Sequence, residues 1–173
     1  MNATMETILH RRSIRSFLEK PIPKPVLEEI VLAGQYAPSA MNRQTWHFTV
    51  LQNQQKIQSL AKTIAQTLGM GEEYCFYRPA ALILVSAPKD SHNGIADCAC
   101  ALENIFLAAH SMGIGSVWIN QLRDICDDPE IRSILTEWEV PENHVVFGCA
   151  ALGYAAESTA KELEKKGTVH FVE

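Results

Sequence analysis

The chain has no apolar run long enough to cross a bilayer: the longest, residues 80–87 and 145–156, fall well short of the roughly 20 residues a helical span requires. The first residues contain no apolar leader core, so the expectation is a cytoplasmic protein with no membrane partner. No G-x-G-x-x-G follows an expected strand and no G-x-x-x-x-G-K-S/T occurs, which excludes a Rossmann fingerprint and a P-loop as phosphate holders. The six histidines show no i, i+4 pairing, which argues against zinc. The five cysteines are odd in number and scattered, unlike a disulfide framework. Cys98 and Cys100 stand two apart on an expected helix, pointing about 200° apart, and are expected to pack as small hydrophobes. A broad basic surface is also lacking. With net charge −5 and pI near 5.7, nucleic acid and anionic membranes are not the expected partners.

What is present is the composition of an ordinary globular protein: 173 residues, 47% hydrophobic and 20% charged. That length suits one domain over residues 1–173, burying about 70% of its unfolded surface. Periodicity predicts helices at Thr4 to Arg12, Pro25 to Ala37, after the cap Asn53 up to Gly69, Gly94 to Met112 and Pro129 to Glu137. Strands are expected at Trp46 to Leu51, Ala80 to Ser86, Val117 to Ile119 and Val145 to Leu152, with Ala80 to Ser86 central and buried on both faces. The helix Gly94 to Met112 is apolar around most of its circumference, and Thr168 to Val172 has strand character without an evident partner strand. Both features predict a homodimer in which long helices pack together and tails cross to the partner's sheet.

The densest chemical feature is Arg11-Arg12-Ser13-Ile14-Arg15-Ser16-Phe17, three guanidinium groups with no carboxylate between Glu6 and Glu19. Two readings stand on the cluster alone. Arginine grips phosphate or carboxylate oxygens in pairs, so the segment suits an anion; it also follows an expected helix, where cations are favoured by the dipole without any ligand. The segment Pro38-Ser39-Ala40-Met41-Asn42-Arg43-Gln44 is a polar loop leading into a strand, able to hold donors rigidly. The glycines of Gly113-Ile114-Gly115-Ser116 suit either close approach of a flat ligand or a helix cap and tight turn.

The arginine run, followed after about twenty residues by Ala37-Pro38-Ser39-Ala40-Met41-Asn42-Arg43-Gln44-Thr45-Trp46, resembles the two signature motifs of the FMN-dependent nitroreductase family. Asn104 to Ile119 resembles that family's core helix and glycine turn, and Gly153-Tyr154 with Lys161 is similar to its tail. The resemblance covers nearly the whole chain, in the compact version of the fold. It implies an α+β fold, a central mixed β-sheet of four to five strands flanked by helices, with C-terminal strand exchange in a homodimer and residues 153–173 as the partner-embracing tail. It also implies FMN as cofactor, contacted by Arg11, Arg12, Ser13 and Arg15, with Pro38, Ser39, Ala40, Asn42 and Gln44 lying along the flavin from the neighbouring subunit. Ile114 and Gly115 would offer backbone groups, and Lys161 would reach the phosphate.

The implied activity is a ping-pong transfer of hydride from NADH or NADPH, as transient donor, to a small-molecule acceptor such as a nitroaromatic or quinone. The flavin would perform the chemistry, and no catalytic acid or base is demanded of the chain. The sequence departs from the family pattern at Thr45 and Ala155, where prolines are common, and at Ala160-Lys161-Glu162-Leu163, where an arginine is missing and Lys165 or Lys166 could replace it. These departures keep open an FMN-binding, sequestering or flavin-modifying protein that turns over no external acceptor.

Overall fold

A continuous apolar run, Ala81–Pro88, forms the strand on which the sheet is built; seven of its eight residues are buried. The computed structural model describes residues 1–157 and 164–173. In chain order it contains α1 (Ala3–His10), α2 (Lys24–Gln35), β1 (His47–Leu51), α3 (Gln54–Leu68), β2 (Ala81–Pro88), α4 (Gly94–Ser111), β3 (Gly115–Ile119), α5 (Pro129–Glu137) and β4 (His144–Gly153). The strands lie in the order β1-β2-β4-β3, and every pair is antiparallel. The parallel component of the expected mixed sheet is confined to an isolated bridge between Ser13 and Ser116.

Alternation along the strands divides the core into two layers. Leu82, Leu84, Val146, Cys149 and Ala151 face α3 and α5, where Ile57, Leu60, Ile64, Ile131 and Leu135 meet them. Ala81, Ile83, Val85, Ala150 and Leu152 face α2 and α4, packing on Leu27, Ile30, Leu102 and Ile105. Each fully buried leucine or isoleucine contributes about 1.5–3 kcal/mol relative to exposure. The α2–α4 contact is close because Gly34 faces Ile105: a Cβ there would lie 3.0 Å from two of its carbons. Asn104 adds a hydrogen bond from Nδ2 to the carbonyl of Ala33 at 2.9 Å, so α4 fixes the C-terminal end of α2 and the loop that follows.

Helix boundaries follow local chemistry. Pro25 sits in the first turn of α2, Asn53 accepts from the Lys56 N–H at 3.0 Å, and Gly69 closes α3 in the left-handed region at φ 63°. Helix α1 ends at His10, so the arginine cluster follows the helix instead of finishing it.

Three stretches leave apolar side chains exposed. Met5, Ile8 and Leu9 of α1 are 43%, 46% and 42% exposed, and α1 buries no residue within this chain. Helix α4 buries one face against the sheet but leaves Ile95 and Cys100 on the outside. Residues 164–173 form no strand, and Val169, Phe171 and Val172 are exposed. The last strand expected from the sequence therefore has no place in this chain's own sheet.

Candidate functional site

Beyond α1 the chain becomes a strap across the end of the sheet. The Ile14 N–H donates to the Ser116 carbonyl at 2.9 Å, the Leu18 N–H to the Tyr154 carbonyl at 2.8 Å, and the Ala156 N–H to the Ser16 carbonyl at 2.9 Å. Segment 13–18 thus spans the start of β3 and the end of β4. Its alternation buries Ile14 and leaves Ser13 and Arg15 exposed.

Gly115 and Gly153, paired across β3 and β4, make room for the strap. A Cβ on Gly115 would lie 2.8 Å from Ile14 Cγ1, and one on Gly153 2.7 Å from Phe17 Cδ1. Gly113, at φ 73°, closes α4 with its N–H on the His110 carbonyl and the Ile114 N–H on the Ala109 carbonyl. These glycines are accounted for by packing and capping. Ile114, with its N–H committed to the cap, can contribute to a ligand only through its carbonyl.

Two of the three guanidinium groups are placed by contacts within the chain. Arg11 Nε lies 3.8 Å from Glu103 Oε1, and its guanidinium carbon lies 6.0 Å from the centre of the Phe106 ring. Arg12 Nη1 donates to the carbonyls of Leu9 at 2.7 Å and Arg11 at 2.8 Å, so it caps α1, as the helix-end reading expects. The cluster's field reaches His110, whose pKa is lowered first by burial and then by Arg11, His10 and Arg12. A positive potential at this end of the molecule suits a phosphate.

The second motif forms a tight polar loop at the far end of α2. Ala40 opens a single 3₁₀ turn, Ala40–Asn42, and its N–H donates to Asp97 Oδ1 at 3.0 Å. The Gln44 N–H donates to Ser39 Oγ at 3.1 Å, and Gln44 Nε2 to Asn42 Oδ1 at 2.7 Å. Met41, Asn42 and Gln44 all have positive φ, at 53°, 53° and 49°. Pro38, Asn42 and Gln44 are exposed, Ser39 and Ala40 half-buried. Asn42 and Gln44 line an open cavity of about 860 Å³ with Tyr36, Trp46 and His47.

Along α4 the two groups meet different turns. The loop is anchored at Asp97, and Arg11 lies by Glu103 and Phe106, six and nine positions further on, about 9 and 14 Å along the axis. Lys161 lies outside the described residues. Sequence reasoning missed Asp97 and Glu103. Asp97 is the one acidic residue in the first turn of an otherwise apolar helix start, which was the available signal. Its burial also marks the neighbouring thiol: Cys98 is pushed up to about 12, by its own burial first and then by Asp97.

The donor set suits a flat, anionic group: guanidinium groups and a hydroxyl on the strap, amides and a hydroxyl on the loop. Among the described residues no cluster of His, Cys, Asp and Glu is placed to hold a metal ion, and no helix is long and apolar enough to cross a membrane.

Known proteins share this fold. A nitroreductase with bound FMN from Bacteroides fragilis has a crystal structure 44% identical in sequence, with a TM-score of 0.95 over 100% of both chains. A nitroreductase with bound FMN from Desulfitobacterium hafniense is 25% identical, with a TM-score of 0.88 over 100% of both chains. The FMN reductase (NAD(P)H) of Bacillus subtilis is 27% identical over 183 aligned positions, covering 94% of this chain and 70% of its own. The model of the nitroreductase family matches residues 8–154, and the chain belongs to that family.

Proposed function

We propose that the protein is an FMN-dependent NAD(P)H oxidoreductase, passing hydride to an electron-poor acceptor such as a nitroaromatic or quinone in a ping-pong cycle. FMN, when bound, supplies the redox chemistry by accepting hydride at N5 and handing it on. The chain's own part is binding, orientation and electrostatics.

The observation that carries this reading is the strap. Main-chain bonds to Ser116 and Tyr154 hold Arg11, Arg12, Ser13 and Arg15 at the sheet end beside Gly115. Guanidinium groups carried on a fixed backbone favour a dianionic phosphate and any negative charge held near them. Pro38, Ser39, Ala40, Asn42 and Gln44 complete the site from the neighbouring subunit, as the family resemblance of their motif implies. Ile114 and Gly115 add backbone groups, and Lys161 adds a further cation for the phosphate.

This assignment requires a homodimer. Three features support one: the exposed apolar face of α1 with Met5 and Ile8, the exposed tail with Val169 and Phe171, and the open outer edge of β1. A cavity of about 680 Å³ beside that edge, between β1 and α2, is lined by Val31, Leu32 and Val50 and suits the partner's tail. The relatives named for NAD(P)H and FMN support a nicotinamide donor that visits the site without a Rossmann domain.

The chromophore tests the proposal. Purified protein should be yellow and release FMN in a ratio near two per dimer; release of FAD, or failure to bind FMN, would contradict it.

A further inference from the structure

We infer that Asp97 is a positioning residue for this site: its carboxylate anchors the Pro38–Gln44 loop in the single geometry in which that loop meets the neighbouring subunit's flavin. The inference rests on the function proposed above.

Asp97 is 7% exposed, on a helix turn otherwise occupied by apolar and small residues. A carboxylate in that position needs a partner. The one it has among the described residues lies fifty-seven positions away in sequence, the N–H of Ala40 at 3.0 Å. Ala40 is the first residue of the 3₁₀ turn, so its N–H has no acceptor within the turn; Asp97 acts as a cap supplied from another element. Ser39, where a local cap would come from, makes no such bond and instead accepts from the Gln44 N–H. The bond is charge-assisted, and the positive end of the α4 dipole favours a carboxylate there.

The loop needs such an anchor because it is strained. Met41, Asn42 and Gln44 hold left-handed backbone angles, which bulky residues keep only where the surroundings impose them. The groups assigned to the flavin, Asn42 and Gln44, are exposed among the described residues. Their orientation comes from the loop's internal bonds and from the Ala40–Asp97 bond beneath. An unanchored loop would sample other backbone states, and binding would then carry the cost of ordering it. Asp97 therefore acts on the cofactor without touching it.

The bond can be broken from either end. Asp97→Ala removes the acceptor, and Asp97→Asn keeps an oxygen in place. Ala40→Pro removes the donor at a position that accepts proline: it opens the turn, and Ser39 before it is already extended at φ −132° and ψ 150°. FMN dissociation constants should be measured on dimeric, folded protein for the wild type, the single variants and Asp97→Ala/Ala40→Pro.

We expect about tenfold weaker binding in Asp97→Ala and in Ala40→Pro, about the same tenfold in the double variant, and Asn within about threefold of wild type. Wild-type affinity in folded Asp97→Ala, or additive losses in the double variant, would overturn the inference while leaving the proposed function intact. If Asp97→Ala does not fold, Ala40→Pro decides, since wild-type affinity there would overturn it equally. A wild-type protein that fails to bind FMN would instead overturn the proposed function itself.

Discussion

Ile14 occupies the volume into which a side chain at Gly115 would have to grow. A Cβ there would lie 2.8 Å from Ile14 Cγ1 and 3.0 Å from its Cβ and Cγ2, while the Ile14 N–H bonds the carbonyl of the next residue, Ser116. The arginine segment thus lies flat on β3 only because residue 115 has no side chain. Gly115→Ala should cost about 1–3 kcal/mol through overpacking and should weaken FMN binding by displacing Arg12 and Arg15. In an Ile14→Ala background the same change should cost clearly less. Equal costs in both backgrounds, measured by denaturant unfolding, would show that the contact is not the constraint.

Arg12 has two duties, capping α1 and, in the proposed site, gripping an anion. Arg12→Ala should lower FMN affinity by roughly ten- to a hundredfold, the loss of a charge-assisted contact worth about 1.5–3 kcal/mol. Arg12→Lys should restore it only in part, because a point charge cannot reproduce the planar fork. Unchanged affinity in Arg12→Ala would reduce the residue to its helix-end role.

His144 predicts the direction of acid sensitivity. Its ring is buried, with Nδ1 3.1 Å from Ser86 Oγ and the His47 ring 6.3 Å away, and Arg132 donates to its carbonyl at 2.9 Å. Burial, then His47 and Arg132, lowers its pKa from 6.5. Below about pH 6.5 the unfolded chain therefore binds the proton more readily than the folded one, and stability falls as pH drops toward the folded-state value. His144→Gln, which cannot take up this proton, should show a shallower decline of Tm between about pH 7 and pH 5. Parallel Tm profiles for wild type and variant would contradict the assignment.

The tail prediction joins assembly to cofactor binding. Truncation after Ala156 removes Lys161 and the exposed Val169, Phe171 and Val172, so dimerisation and FMN affinity should weaken together. Leu32→Glu, in the cavity beside β1, should weaken dimerisation with the tail intact. Sedimentation at micromolar concentration with flavin stoichiometry reads both, and a monomer retaining tightly bound FMN would contradict the shared site.

Much of the fold was legible because local chemistry and global packing agree in it. Asn53, Gly69, Pro25 and the Asp128 side chain, which accepts from the Glu130 N–H at 3.1 Å, mark helix ends that need no tertiary information. The continuous apolar run of β2, of strand length, reads as a central strand. What escaped depends on distant pairing. Asp97 and Ala40, or Ser13 and Ser116, meet across long stretches of chain, and nothing local in either partner names the other. The backbone of Phe76, Tyr77 and Arg78, all at positive φ, contradicts the preference of those residue types; Phe76 is fully buried, whereas Tyr77 and Arg78 are exposed. The candidate site was legible as two motifs, but their separation along α4 was not, because only the helix geometry reveals it.

The most direct test of the central claim is an anaerobic absorbance titration of the FMN-loaded dimer with NADH and NADPH, followed by a nitroaromatic or a quinone. The account predicts that at least one nicotinamide abolishes the flavin absorbance and that the acceptor restores it. Bound FMN that neither nicotinamide bleaches would contradict hydride transfer, and bleached protein that no acceptor reoxidises would favour a flavin-sequestering or flavin-modifying role instead.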